Sequence, residues 1–294
     1  MDEGFKWRVG DVEISSIPEF TVAMFAPSFI YPDLAPERLE QHRSWLEPKH
    51  LDPATQKLVI AIQAYVVKTK RRTILVDACS GNDKERPSRP LFHRQKRPWL
   101  QRLADAGFRP EDIDFVLCTH LHIDHVGWNT RLLNGRWVPT FPKARYLITK
   151  AEWEHWQDEE KRKAYSTDEH IEDSVLPITA AGQCDFVAMD YAFDDEAWLD
   201  PTPGHTPGHV ALRVRSKGQE AALSGDLMHT ALQCAEPQIS SCFCVDRALS
   251  AKSRRSFLER CAEGHALVLP AHFPYPSGGH VAPAGAGFRF TFAG

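Results

Sequence analysis

The sequence lacks any apolar run long enough to cross a membrane, since no stretch approaches the roughly 18 apolar residues that a spanning helix needs. Its first residues, "MDEGFKWRVGDVE", carry acidic side chains at once and have none of the apolar core of a signal peptide. We therefore expect no membrane partner and no secretion, and we place the protein in the cytoplasm.

A strong net charge is also missing. The 35 Lys and Arg residues are nearly balanced by 39 Asp and Glu residues, for a formal net charge of −4. This balance excludes the basic footprint that nucleic-acid binders carry. We expect a small-molecule substrate and no nucleic-acid partner.

The cysteines do not form a disulfide framework. Their number, seven, is odd, and in a reducing compartment they are expected to be free thiols. Cys242 and Cys244 form a single C-x-C without a matching pair, so we interpret them as packing or solvent-exposed thiols and not as half of a metal site.

Strand and helix patterns alternate along the 294 residues, without internal repeats. "WRVGDVEISSI" predicts one strand, "LVIAIQAYVVKT" and "TILVDA" a hairpin, "DFVLCT" a buried strand, and "DRALSAKSRRSFLERCAEG" a helix. The apolar, proline-broken region of about residues 20–50 predicts a loop over a pocket. Thr149 with Glu152 and Ser166 with Glu169 have capping-box spacing, which predicts helices from about 150 and 167 within a helical insertion of about 150–182.

The most informative stretch is "CTHLHIDHVGW", residues 118–128, which crowds three histidines and an aspartate behind a predicted strand. In extended backbone His120 and His122 point to the same side, so both imidazoles can bind one cation. Asp124 and His125 must point elsewhere and can serve a second cation. Imidazole with carboxylate suits zinc, iron or manganese.

Three later segments each offer one more ligand at a predicted strand end or in a tight loop. They are "PGHTPGH" with His205, "SGD" with Asp226 and "LPAHF" with His272. We interpret His209, the second histidine of "PGHTPGH", as a supporting residue, and we expect Gly127 to permit the turn after His125.

The H-x-H-x-D-H signature with these later motifs resembles the metallo-β-lactamase superfamily, from about residue 58 to about 275. The resemblance implies a single domain over 1–294 with an αββα four-layer sandwich and two divalent metal ions, zinc foremost, with manganese or iron as alternatives. By the same resemblance, His120, His122 and His205 hold the first metal, Asp124, His125 and His272 the second, and Asp226 bridges both.

The implied reaction is hydrolysis by a hydroxide shared between two metals, acting on a lactone, ester or phosphotriester, with Asp124 also taking a proton. The chain is most similar to the branch of methyl parathion hydrolase and the N-acyl homoserine lactonases. Many of those lactonases have a tyrosine three residues after the bridging aspartate, where this chain has His229, a second catalytic candidate. A mononuclear iron oxygenase of the persulfide dioxygenase type and a non-catalytic metal-binding protein remain alternatives.

Large aromatic residues surround these motifs in the sequence, and two interpretations remain open for them. They either wall the substrate pocket or pack the core. The residues are Phe25, Phe29, Tyr31, Trp128, Trp153 and Trp156. The apolar N-terminal region is also suited to a homodimer contact.

Overall fold

The computed structural model describes residues 4–293. Its strands are β1 Lys6–Val9, β2 Val12–Phe25, β3 Leu58–Lys68, β4 Thr73–Val76, β5 Phe115–Leu117, β6 Thr130–Leu133, β7 Arg136–Pro139, β8 Arg145–Thr149, β9 Cys184–Val187, β10 Ala197–Pro201, β11 Val210–Ser216, β12 Gln219–Leu223, β13 Leu267–Leu269, β14 Gly279–Ala284 and β15 Gly287–Phe292. Its α-helices are α1 Pro27–Ile30, α2 Pro36–Leu46, α3 Trp99–Asp105, α4 Lys150–Gln157, α5 Glu159–Tyr165, α6 His170–Ser174, α7 Leu176–Ala180, α8 Leu232–Ala235 and α9 Arg247–Glu263.

The strands form two mixed sheets and a separate hairpin. The first sheet has the order β1-β2-β3-β4-β5-β8-β9, the second the order β10-β11-β12-β13-β14-β15, and β6 pairs with β7 alone. Strands β4, β5, β8 and β9 run parallel to one another, as do β12 and β13. The other neighbouring strands within the sheets are antiparallel.

Alternating side chains divide the core into layers, as the period of two along a strand requires. In β4, Ile74 and Val76 join the cluster that contains residues of both sheets, whereas Leu75 joins the cluster with α3. In the second sheet, Leu212 of β11 faces the other sheet while Ala211 packs with α9. Helices therefore cover the outer faces of two stacked sheets, and the predicted αββα sandwich is confirmed.

The N-terminal region differs from its prediction in two places. "WRVGDVEISSI" forms two strands because the chain turns at Gly10, whose φ is +58°. The region of about 20–50 is not one loop, since β2 runs to Phe25 and α1 and α2 follow. Pro27 and Pro36 occupy the first position of these helices, where a missing N–H costs nothing, so they begin helices instead of breaking them.

Four helices lie within the predicted insertion of about 150–182. The first begins where predicted, and the Thr149 hydroxyl accepts a hydrogen bond from the Glu152 N–H. The reciprocal half of the predicted capping box is absent, because the Glu152 carboxylate accepts from other residues instead. The second predicted capping box is wrong, since α6 begins only at His170. The Ser166 hydroxyl instead accepts from the N–H of Asp168, a local turn that competes with helix initiation.

Every predicted metal-binding segment follows or precedes a strand at one edge of the sandwich. The histidine cluster follows β5, Asp226 follows β12, His272 follows β13, and His205 precedes β11. No helix among residues 4–293 is both long and apolar enough to span a bilayer.

Candidate metal centre

A first group of four buried side chains lies at this edge of the sandwich. The donor atoms of His120, His122, His205 and Asp226 all lie within 4.8 Å of one another. Nε2 of His205 is 2.9 Å from Nδ1 of His122. Two ring nitrogens at this distance repel each other when both carry lone pairs, so they need a proton or a cation between them.

A second group lies beside it and contains Asp124, His125 and His272. Nε2 of His125 is 3.8 Å from Oδ1 of Asp124, and Nε2 of His272 is 3.8 Å from its Oδ2. The two histidines are buried, while the Asp124 side chain keeps 18% of its surface exposed. The second group is therefore the one with a carboxylate open to solvent.

Asp226 connects the two groups through its separate oxygens. Oδ1 lies 3.2 Å from Nε2 of His125 and 2.9 Å from Nε2 of His272. Oδ2 lies 3.2 Å from Nε2 of His205 and 3.7 Å from Nε2 of His120. One carboxylate thus presents one oxygen to each group, so all seven residues singled out by the sequence meet in one place.

The bonding state of these atoms fits a metal centre. Among the described residues, Nε2 of His120, Nε2 of His125 and Oδ1 of Asp226 are buried without a well-formed hydrogen bond. Buried polar atoms are rarely left unpaired, because desolvation without a partner is costly. Divalent cations such as zinc satisfy this mixture of imidazole and carboxylate donors.

The electrostatics of the metal-free centre point the same way. Burial, together with the neighbouring His125 and His205 respectively, holds the pKa values of His120 and His122 well below their ordinary range. Burial also acts against protonation of His205, but Asp226 and Cys244 together outweigh it and raise the pKa to about 9. Asp226 likewise raises the pKa of His125. Without metal the centre therefore retains protons, which bound cations would displace.

Asp77 supports the centre and was missed by the sequence analysis. Its carboxylate lies 2.9 Å from Nδ1 of His125 and accepts hydrogen bonds from the N–H and hydroxyl of Thr119. A carboxylate behind a histidine fixes which ring nitrogen faces the metal. Its position at the end of "TILVDA" was a signal, since this strand lies beside the one that precedes the histidine cluster.

Glu152 forms hydrogen bonds to both histidine loops. From the sequence it was predicted only as a helix-capping residue. Oε1 accepts from the N–H of Leu121, and Oε2 accepts from the Thr206 hydroxyl and the Gly208 N–H. The contacts span loops more than 80 residues apart, His120–His122 and His205. Only the tertiary structure reveals them.

His209 and Gly127 also have defined local roles. Nδ1 of His209 lies 3.1 Å from the Thr202 carbonyl, and its Nε2 accepts a hydrogen bond from the N–H of Asp226. This agrees with the expected supporting role. A Cβ on Gly127 would lie 2.0 Å from the Ser80 carbonyl, so the glycine permits a close backbone approach after His125.

An open cavity of about 630 Å³ leads to the two groups. Phe25 and Phe29 line it, as the pocket interpretation predicted. Trp128 instead stacks on Trp99 at 5.3 Å, and Trp156 is buried beneath His122. The other two aromatics also pack, Trp153 against Phe186 and Tyr31 with its hydroxyl 2.9 Å from that of Thr230.

Two further side chains reach the cavity beside the metal-binding groups. The ring of Tyr165, from α5, stacks on His122 at 4.3 Å and was not singled out from the sequence. His229 lines the cavity as expected, with Nε2 3.4 Å from Oδ2 of Asp226. Its donor atoms also lie within 4.8 Å of those of Asp226 and His272.

Curated proteins similar to this chain are N-acyl homoserine lactonases. One from Bacillus sp is 26% identical over 172 residues, which cover 54% of this chain and 60% of its own length. The lactonase AttM of Rhizobium radiobacter is 27% identical over 180 residues, covering 60% and 64%. The chain thus spans less than two thirds of these relatives.

Solved structures show the same fold over nearly the whole chain. The hydrolase AbOPH of the beta lactamase superfamily has a TM-score of 0.83 at 21% identity, covering 99% of this chain and 97% of its own. AidC, a dizinc quorum-quenching lactonase, has a TM-score of 0.78 at 21% identity, covering 99% and 98%. Residues 59–272 match the metallo-beta-lactamase superfamily by sequence. The chain therefore belongs to the metallo-beta-lactamase superfamily.

Proposed function

We propose that the protein is a hydrolase that uses two divalent metal ions. His120, His122 and His205 hold the first ion and Asp124, His125 and His272 hold the second, with Asp226 shared. The observation that carries the proposal is the division of the two Asp226 oxygens between the two groups. Zinc is the expected metal, with manganese or iron as alternatives, and the AidC neighbour is described as a dizinc lactonase.

Two divalent ions at such a site supply activation of water as a nucleophile near neutral pH. The protein's own contribution begins with Asp124. Its partly exposed carboxylate borders the cavity, where it can accept a proton from the reacting groups.

His229 supplies a second proton-transfer group. Its Nδ1 lies 3.3 Å from Oε1 of Gln233, an oxygen that can only accept, which favours a proton on Nδ1 and a lone pair on Nε2. Burial lowers the pKa of His229 to about 4. The neutral ring therefore keeps a lone pair on Nε2, which lies 3.4 Å from Oδ2 of Asp226, and it can donate to a leaving oxygen only after taking up a proton.

The cavity favours a substrate with an apolar arm. Phe25, Phe29, Phe92 and Phe243 line it together with Arg89 and other polar residues, and the ring of Phe243 lies 6.3 Å from that of His229. We therefore propose a lactone, ester or phosphotriester that places its reactive centre at Asp226 and its apolar arm among these rings. The relatives named as lactonases support the lactone in this range.

The complete second donor group argues against the single-iron oxygenase, and the large cavity at the donor groups argues against a purely metal-storing protein.

The test is a panel of lactones of increasing acyl length, aryl esters, phosphotriesters and thioesters, assayed with metal-loaded and chelator-treated protein. We expect metal-dependent hydrolysis of one class. His280→Ala, at an exposed histidine, is the matched control for histidine substitutions in the centre. Oxygen consumption by protein with one iron, without hydrolysis, would contradict the proposal.

A further inference from the structure

The two cysteines of the C-x-C motif occupy different environments. The Cys242 side chain is exposed, whereas Cys244 is buried with Sγ 3.5 Å from Nδ1 of His205. Sulfur contacts up to 4.0 Å are within hydrogen-bonding range because sulfur is larger than oxygen. The motif thus separates into a surface thiol and a thiol behind a candidate metal ligand.

Cys244 does not itself belong to the candidate ligands. Among residues 4–293, no group of donor atoms that could hold a metal includes it. Its sulfur lies at Nδ1 of His205, whereas Nε2 of the same ring faces Asp226 and His122. The thiol is therefore on the far side of the imidazole from the metal position.

The other candidate histidine ligands suggest what this contact does. Three of them have an oxygen at the ring nitrogen that faces away from Asp226: the Asp77 carboxylate 2.9 Å from His125, the Ala61 carbonyl 2.8 Å from His272, and the Thr119 hydroxyl 3.1 Å from His120. Such partners orient the ring and select its tautomer. At His205 a thiol occupies the equivalent position.

The backbone holds this thiol in place. The N–H groups of Val245 and Asp246 donate to the carbonyls of His205 and Gly204, both at 2.9 Å. Gly204 has a φ of +126°, and a Cβ there would lie 2.2 Å from the Ser250 nitrogen. The segment that carries Cys244 is thus packed directly against the loop that carries His205.

Hydrogen bonds beyond the sulfur direct its proton away from His205. The Cys244 thiol can donate to Oγ of Ser250 at 3.4 Å, and that oxygen also accepts from Nη2 of the buried Arg254 at 3.3 Å. With its hydrogen turned toward Ser250, the sulfur presents a lone pair to His205. It can then accept the Nδ1–H.

We propose that Cys244 is a positioning residue for the metal centre: it accepts the Nδ1–H of His205 and so keeps the Nε2 lone pair directed at the first metal ion. The proposal rests on the two-metal function proposed above. It assigns a role to Cys244 and none to Cys242, although the two are separated by one residue.

The test compares Cys244→Ala and Cys244→Ser with Cys242→Ala as the matched control. Zinc affinity and stoichiometry are measured by competition with a chromophoric chelator, and the thermal midpoint of each metal-free protein reports on folding. We expect Cys244→Ala to weaken one of the two ions about 10–100-fold, the usual effect of losing a partner behind a metal ligand. The hydroxyl of Cys244→Ser should restore much of this loss, and Cys242→Ala should bind as the unsubstituted protein does.

Three outcomes overturn the proposal. The first is that the unsubstituted protein binds two ions and Cys244→Ala binds both with unchanged affinity. This result would overturn the role of Cys244 but not the proposed function. The second is that Cys244→Ala and Cys244→Ser weaken metal binding equally, and in proportion to the drop in the thermal midpoint of the metal-free protein. This result would mean that Cys244 contributes only through packing. The third is failure of the unsubstituted protein to bind two ions, which removes the proposed function as well.

Discussion

Replacing Glu152 should loosen both histidine loops at once. The side chain is 1% exposed, and its carboxylate accepts four hydrogen bonds. Oε1 accepts from the Leu121 N–H at 2.9 Å and the Trp156 indole at 2.6 Å. Oε2 accepts from the Thr206 hydroxyl at 2.6 Å and the Gly208 N–H at 3.0 Å.

The size of the effect follows from the four donors. Each hydrogen bond to a charged group contributes about 1.5–3 kcal/mol, but bonds that share one acceptor are not additive. Glu152→Ala should therefore lower the free energy of unfolding by about 4 kcal/mol. Glu152→Gln keeps one oxygen and turns an NH₂ toward two of the donors, so its loss should be about 2 kcal/mol.

Urea unfolding of the metal-free protein, followed by circular dichroism, measures these changes. Glu154→Ala is the control, because Glu154 lies on the exposed side of the same helix. Zinc affinity should fall in the order control, Gln, Ala, since Leu121 lies between His120 and His122, and Thr206 follows His205. A free energy of unfolding for Glu152→Ala within about 0.5 kcal/mol of the control, the usual range for surface substitutions, would refute this reasoning.

Three further predictions address chemistry and stability. His229→Ala should lower kcat about 10²–10⁴-fold while both metals stay bound, and the loss should be largest for substrates with poor leaving groups. Steady-state kinetics and metal analysis of the variant measure this, and an unchanged kcat for good and poor leaving groups would contradict the role of His229. The pH limb of kcat/KM near neutrality should move when zinc is exchanged for manganese or cobalt, and a stationary limb would contradict a metal-activated water. Burial lowers the pKa of His50 from 6.5 to about 3, so the unfolded chain binds the proton more readily and stability falls as pH drops from about 6.5 toward 3. At pH 5 this difference in pKa lowers the free energy of unfolding by about 2 kcal/mol. In urea unfolding, His50→Phe should therefore lose about that much less stability than the unsubstituted protein between pH 7.5 and pH 5. Equal losses of stability in the two proteins would contradict the role of His50.

The parts of the centre that could be predicted from the sequence are those set by local backbone geometry. The alternation of side chains beyond a strand brings His120 and His122 to one side, and Asp226 and His272 each follow another strand. The layered core was predictable for the same reason, since strands and helices differ in the period of their apolar residues.

The supporting contacts could not be predicted in this way, because they join residues distant in the chain. Glu152 and Cys244 each contact a histidine loop only in the folded chain, and nothing in their flanking residues specifies the partner. For Asp77, the position near the end of a strand was the only signal in the sequence. The region of about 20–50 was mispredicted for a different reason. Its prolines suit both a loop and the first turn of a helix, and packing in the folded protein selects the helix.

The number of metal ions bound per chain at saturation tests the central claim most directly. After dialysis with zinc, elemental analysis should find two ions in the unsubstituted protein, and Asp226→Ala should weaken the binding of both, because each Asp226 oxygen faces a different donor group. Saturation at a single ion, or loss of only one ion in Asp226→Ala, would contradict a centre in which this carboxylate is shared.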